Sequence, residues 1–156
     1  MIYFTSPTKG KITAEEMCAD IISFVSTHPN DNYRLIVGTD SQPGRITCFV
    51  TAVIIHREGK GARFYYCRSF HQAPLTFRHR IFEEATRSLE MAGDLIGYMA
   101  DRTSELSIEI HVDIGEKGRT RELIQQVINM INMSGFLAKI KPHSFGASKV
   151  ADRFTK

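Results

Sequence analysis

Two aspartates stand where an apolar strand should end. "YRLIVGTD" runs apolar from Leu35 to Val37 and closes on Asp40, and "LSIEIHVD" closes on Asp113. A carboxylate at the inner end of such a run is costly to desolvate unless a cation sits against it. If the two strands are neighbours, the acids repel and raise each other's pKa unless a divalent metal neutralises them. Magnesium and manganese are hard cations that prefer carboxylate oxygens and keep waters. A pair of them about 3.5–4 Å apart can activate an attacking water and stabilise a leaving oxygen. Zinc chemistry would need other ligands: the six histidines show no HExxH spacing, and Cys18, Cys48 and Cys67 form no CxxC pair. Each aspartate has a plainer reading. Asp40 could cap the turn before "QPGR", and Asp113 could cap the segment ahead of "GEKGRTRELI".

The elements that must position these acids follow from periodicity and turn chemistry. "TAEEMCADIISFVSTHP" opens on a capping box, Thr13 with Glu16, and carries Met17, Ile21, Ile22, Phe24 and Val25 before Pro29, which predicts a first helix. "YRLIVGTD", "ITCFVTAVIIHRE" and "ARFYYCRSF" predict three strands, and the short joints "QPGR" and "EGKG" make them an antiparallel meander. Phe77 to about Arg102 has helical period, with Ile81, Ala85, Leu89, Ala92, Ile96 and Met99 on one stripe. "LSIEIHVD" alternates strictly, which predicts a half-buried strand with Ser107, Glu109, His111 and Asp113 on its polar face. A second long helix, "RTRELIQQVINMINMSG", a short fifth strand, "FLAKIKP", and a final helix, "SFGASKVADRFTK", complete the chain.

The order α, β-β-β, α, β, α, β, α predicts an α/β fold: a mixed five-stranded sheet of three antiparallel strands and two joined by helical crossovers, with an additional N-terminal helix. Right-handed crossovers bring the fourth strand beside the first, and with it Asp113 beside Asp40. No linker divides the 156 residues, and 42% hydrophobic with 24% charged residues suits one domain: residues 1–32 as a helical extension and 33–156 as the core.

With acids at those places in that order, the chain resembles the ribonuclease H-like superfamily, and more closely its small bacterial YkuK family. The resemblance rests on "VGTDSQ", "EEATRSLEMA", "HVDIG" and "SKVADR". It implies a metal-dependent nuclease with magnesium or manganese held by Asp40, Glu84 or its neighbour Glu83, Asp113 and Asp152. "TDSQ" also resembles the fourth-strand motif of bacterial ribonuclease HI, where a helix follows; here Pro43, Gly44 and then a strand follow. The tetrapeptide therefore belongs to the first-strand position. Glu84 could instead be an ordinary exposed helix residue, and Asp152 could merely pair with Lys149 or Lys156. At about 100° per residue the helical stripe puts Glu84 at the edge of the buried face and Glu83 toward solvent.

Charge points to the same class of partner. Residues 1–116 hold 12 Lys and Arg against 15 Asp and Glu, whereas residues 117–156 hold 8 against 2. That asymmetry favours a polyanion, with Lys117, Arg119, Lys149 and Arg153 expected on a nucleic-acid backbone, although a solvated basic face has the same composition. "GEKGRT" lacks the spacing of a Walker motif, yet its N–H groups at a helix start could hold a phosphate. His143 could assist proton transfer, and Glu109 and His111 could line the site or face water. Unpaired cysteines fit a reducing cytoplasm, and no run approaches the roughly 18 apolar residues of a membrane span. A non-catalytic nucleic-acid-binding or assembly module is the main rival. An actin-like phosphotransferase would need a second lobe that this length does not hold. The strand "ARFYYCRSF" could also offer an open edge to a second subunit.

Overall fold

The structure is a computed structural model, and it describes residues 2–99, 106–114 and 121–140. Seven strands form one mixed sheet: β1 (Tyr3–Ser6), β2 (Gly10–Thr13), β3 (Tyr33–Gln42), β4 (Thr47–Arg57), β5 (Gly61–His71), β6 (Ile108–His111) and β7 (Leu137–Lys139). Their order across the sheet is β2-β1-β5-β4-β3-β6-β7. The helices are α1 (Ala14–Thr27), α2 (Phe77–Met99) and α3 (Arg121–Met133).

The expected meander is present, with β3 antiparallel to β4 and β4 antiparallel to β5. The two crossovers lead to β6, parallel to β3, and β7, parallel to β6. The five expected strands are thus joined by two more. "YFTS" and "GKIT" form a hairpin whose turn closes at Gly10, where φ is +71° and a side chain would be strained. The residues ahead of the first helix are therefore strand, not only helical extension. This hairpin also takes the edge of β5, pairing Thr5 with Tyr66, so the edge expected to await another subunit is partly covered by the chain itself. The expected last helix lies outside the described residues.

Alternation along β3 divides the sheet into two faces. Leu35 and Val37 join Val53, Ile55, Ile108, Ile110 and Val112 in a core that also takes Met17 and Ile21 of α1, Ile81, Ala85, Ala92 and Leu95 of α2, and Leu123, Ile124, Val127 and Ile131 of α3. All three described helices cover this face. Truncating a fully buried residue here, such as Leu35, would cost about 2–5 kcal/mol. The other face carries a smaller cluster of Ile36, Val50, Ala52 and Ile54, with Cys48, Phe64 and Tyr66 packed against it. Burial on both faces explains why β6, which its alternation marks as half-buried, is buried along its whole length.

Helix α1 begins as its sequence dictates. Thr13 Oγ1 accepts from the Glu16 N–H at 3.1 Å and Glu16 Oε1 accepts from the Thr13 N–H at 3.2 Å, so two orphan donors of the first turn are satisfied. A buried carboxylate then ties the added hairpin to the sheet. Asp20 of α1 meets Lys9 Nζ at 3.0 Å and Arg63 Nη1 at 2.9 Å, and accepts from the Tyr65 hydroxyl. Burial raises its pKa, but these partners outweigh burial and hold the carboxyl below its ordinary range.

Candidate metal centre at the carboxyl end of the sheet

The parallel register places the two aspartates. Gly38 of β3 pairs with His111 of β6, and Asp40 and Asp113 lie two residues beyond that pair on their own strands. On its other side β6 stays paired one residue further, since the Val112 N–H donates to the Lys139 carbonyl of β7 at 2.8 Å. Neighbouring strands run about 4.8 Å apart, so both acids sit half-buried at the same end of the sheet.

Glu84 comes from α2. The buried stripe of this helix runs Ile81, Glu84, Ala85, Ser88, Met91, Ala92, Leu95 and Met99. Glu84 is 5% exposed and lies within that stripe, not at its edge. The reason is that β3 becomes polar where the stripe does. Thr39 and Ser41 follow Leu35 and Val37 on the helix-covered face; Thr39 Oγ1 bonds Ser88 Oγ at 2.8 Å, and Ser41 Oγ donates to Glu84 Oε2 at 2.5 Å. Glu83, one position round the helix, is half-buried and pairs with Arg87 Nε at 3.1 Å. Arg87 is turned toward β4 and β5, with its guanidinium 4.2 Å from the Phe49 ring centre and a bond to Ser69.

The electrostatics of Glu84 show what surrounds it. Its pKa is pushed up to about 8 from an ordinary 4.5, first by burial and then by the charges of Asp40 and Asp113. The Ser41 hydroxyl and the Arg80 guanidinium pull the other way. The charges of Asp40 and Asp113 at the sheet end are thus felt at the buried Glu84. Arg80 stands one helical turn before Glu84 and its Nη1 donates to Ser41 Oγ at 3.1 Å, so a chain Arg80–Ser41–Glu84 fixes the carboxylate from behind. Sequence reasoning passed over Arg80 and Ser41. The only available signal was the four-residue spacing of Arg80 and Glu84 on one helix face.

The donor set suits magnesium or manganese, because its carboxylates supply oxygens alone. Among the described residues, however, no three acids, imidazoles or thiols stand close enough to share one ion. Asp152, the fourth expected acid, lies outside the described residues, as do Lys117, Arg119, His143, Lys149 and Arg153.

Glu109 and His111 depart from the expectation that they line the site or face water. They are 4% and 1% exposed. Glu109 accepts from Arg34 Nε at 2.5 Å and Nη2 at 2.6 Å, and its Oε1 lies 3.5 Å from His111 Nε2. The fork of Arg34 holds the Glu109 carboxyl below its ordinary range against burial, while burial lowers the His111 pKa and favours a neutral ring. These polar residues of β6 belong to a buried pair on the second face of the sheet.

A protein-family model described as "Ribonuclease H-like" matches residues 16–156. This chain belongs to the ribonuclease H-like family. Its mixed sheet, with β3 in the interior between antiparallel β4 and parallel β6, agrees with that assignment. The chain is also 36% identical, over 168 residues, to the Uncharacterized protein YkuK of Bacillus subtilis (strain 168), an alignment covering 98% of this chain and 96% of that relative. No solved structure matches this ribonuclease H-like chain.

Proposed function

We propose that the chain is a metal-dependent nuclease that hydrolyses phosphodiester bonds. The observation carrying this reading is that Asp40 and Asp113 lie at the carboxyl end of the sheet with the buried Glu84 near enough to feel their charges. Asp40, Glu84 and Asp113, with Asp152, would hold magnesium or manganese, which when bound supplies the activation of water and the stabilisation of the leaving oxygen. Arg80 and Ser41 hold Glu84 in one rotamer, so the carboxylate needs little reorganisation to serve as a ligand. Lys117, Arg119, Lys149 and Arg153 contact the phosphates of the substrate. In this reading residues 1–156 act as one domain, and the unpaired thiols of Cys18, Cys48 and Cys67 suit a reducing cytoplasm. No helix among the described residues is long and apolar enough to cross a membrane.

A second reading has its own observation. The described acids are not assembled into a cage for one ion, which favours a nucleic-acid-binding or assembly module that keeps the fold without turnover. A screen of labelled RNA, DNA, hybrid and junction substrates with magnesium and with manganese separates the two. Cleavage that stops on chelation supports the nuclease, and binding without cleavage of any substrate supports the module.

A further inference from the structure

Strand β5 carries a second polarity that the carboxylate site does not use. Tyr65, Cys67 and Ser69 point to the helix-covered face, where Tyr65 meets Asp20, Cys67 packs on the core and Ser69 meets Arg87. By alternation, Phe64, Tyr66, Arg68 and Phe70 occupy the opposite face. The register continues that face to the candidate centre: Asp40 pairs with Val50, and Val50 with Arg68, in one cross-strand row. Two strand spacings put Arg68 about 10 Å from Asp40. At about 3.4 Å of rise per nucleotide in a stacked strand, this is a span of about three nucleotides.

The exposed part of the stripe is basic and aromatic. Arg68 is exposed with its guanidinium 5.3 Å from the Tyr66 ring centre, and Phe70 is 57% exposed in the row of Cys48 and Gln42. At the same end of the sheet the β3–β4 turn presents exposed Arg45 and, 50% exposed, Ile46. A phenylalanine exposed on a strand offers a stacking platform for a base, and the arginines beside it suit phosphate. Bases in a duplex are already stacked on each other, whereas those of a single strand are available to a protein ring.

We propose that Tyr66, Arg68 and Phe70 of β5, with Arg45, form a lane that binds single-stranded nucleic acid and delivers it to the carboxylate end of the sheet. Delivery for cleavage rests on the proposed function; binding along the lane does not. Phe70 stacks a base, and Arg68 and Arg45 neutralise phosphates.

The test is fluorescence anisotropy of the full chain with a labelled single-stranded oligonucleotide and its duplex, in chelator, so that no metal-dependent step intervenes. The single strand should bind more tightly than the duplex. Phe70→Ala should weaken single-strand binding by about 5- to 150-fold, as expected for one lost stacking contact, and Phe70→Trp should retain it. Arg68→Ala should reduce the slope of log affinity against log salt by about 0.7. Equal or tighter duplex binding, no binding of either oligonucleotide, or a folded Phe70→Ala protein with unchanged affinity would overturn the lane. A manganese cleavage assay on the same proteins keeps the two readings apart. Single-strand binding lost in Phe70→Ala without any wild-type cleavage sinks the nuclease and keeps the lane. Wild-type cleavage with unaltered Phe70→Ala binding does the reverse.

Discussion

Replacing Glu84 by glutamine should make the metal-free protein more stable at alkaline pH and leave it nearly unchanged in mild acid. The folded-state pKa of Glu84 is about 8 against an ordinary 4.5, so folding favours the protonated form. The sign follows: the stabilising effect of that proton is fully present below about pH 4.5 and is lost as pH rises through 8. Each pKa unit corresponds to about 1.4 kcal/mol, so the ionised carboxylate costs on the order of 4 kcal/mol at pH 8.5. The side chain is nearly inaccessible to water, and solvent screening reduces this little. The substituted amide would not ionise, and its oxygen can still accept from Ser41. Urea unfolding in chelator from pH 5 to 8.5, read as the wild-type minus Glu84→Gln difference, cancels the titrating groups that do not interact with Glu84. The variant should gain stability steadily across that range, which at about 2–4 °C per kcal/mol is a Tm advantage of about 10 °C at pH 8.5. Parallel curves for the two proteins would refute the raised pKa of Glu84.

Asp40→Asn and Asp113→Asn each remove a neighbour that raises the Glu84 pKa, so both should stabilise the chelated protein at pH 8. Both should also lose the metal-induced rise in melting temperature, which for wild type at 100 times the dissociation constant is about 2.7 kcal/mol; differential scanning fluorimetry with and without manganese checks this. Glu109→Ala removes the carboxylate that the Arg34 fork binds and should cost about 3 kcal/mol in urea unfolding, whereas a solvent-facing glutamate would cost almost nothing. Thr13→Ala removes the side-chain half of the capping box and should cost about 1 kcal/mol.

Much of this architecture was legible because its signals are local. The capping box at Thr13, the helical period of α2 and the turn sequences between β3, β4 and β5 all act within a few residues, and each yielded its element. The alternation of β6 was equally visible but was read against the wrong environment. Glu109 looks solvent-facing until Arg34, 75 residues earlier in the chain, is placed opposite it, and no local pattern announces such a pairing. The β1–β2 hairpin was within reach, since the buried Phe4 and Ser6 alternate with the more open Tyr3 and Thr5 and Pro7 with Gly10 marks a turn; the stronger helix signal lies just behind it. At the candidate centre, the helical stripe separated Glu84 from Glu83 correctly in direction. It missed how deeply Glu84 is buried, because the polar stripe of Thr39 and Ser41 that receives it lies on another element.

The central claim is that the carboxylates at the sheet end serve metal-dependent phosphodiester hydrolysis. Its most direct test is the manganese-dependent cleavage rate of a labelled oligonucleotide by wild type, Asp40→Asn, Glu84→Gln and Glu83→Gln, each shown to be folded. Wild type and Glu83→Gln should cleave, since Glu83 is engaged with Arg87, while Asp40→Asn and Glu84→Gln should be inactive at every manganese concentration that the wild type uses. Cleavage that survives in Asp40→Asn and Glu84→Gln would contradict the account.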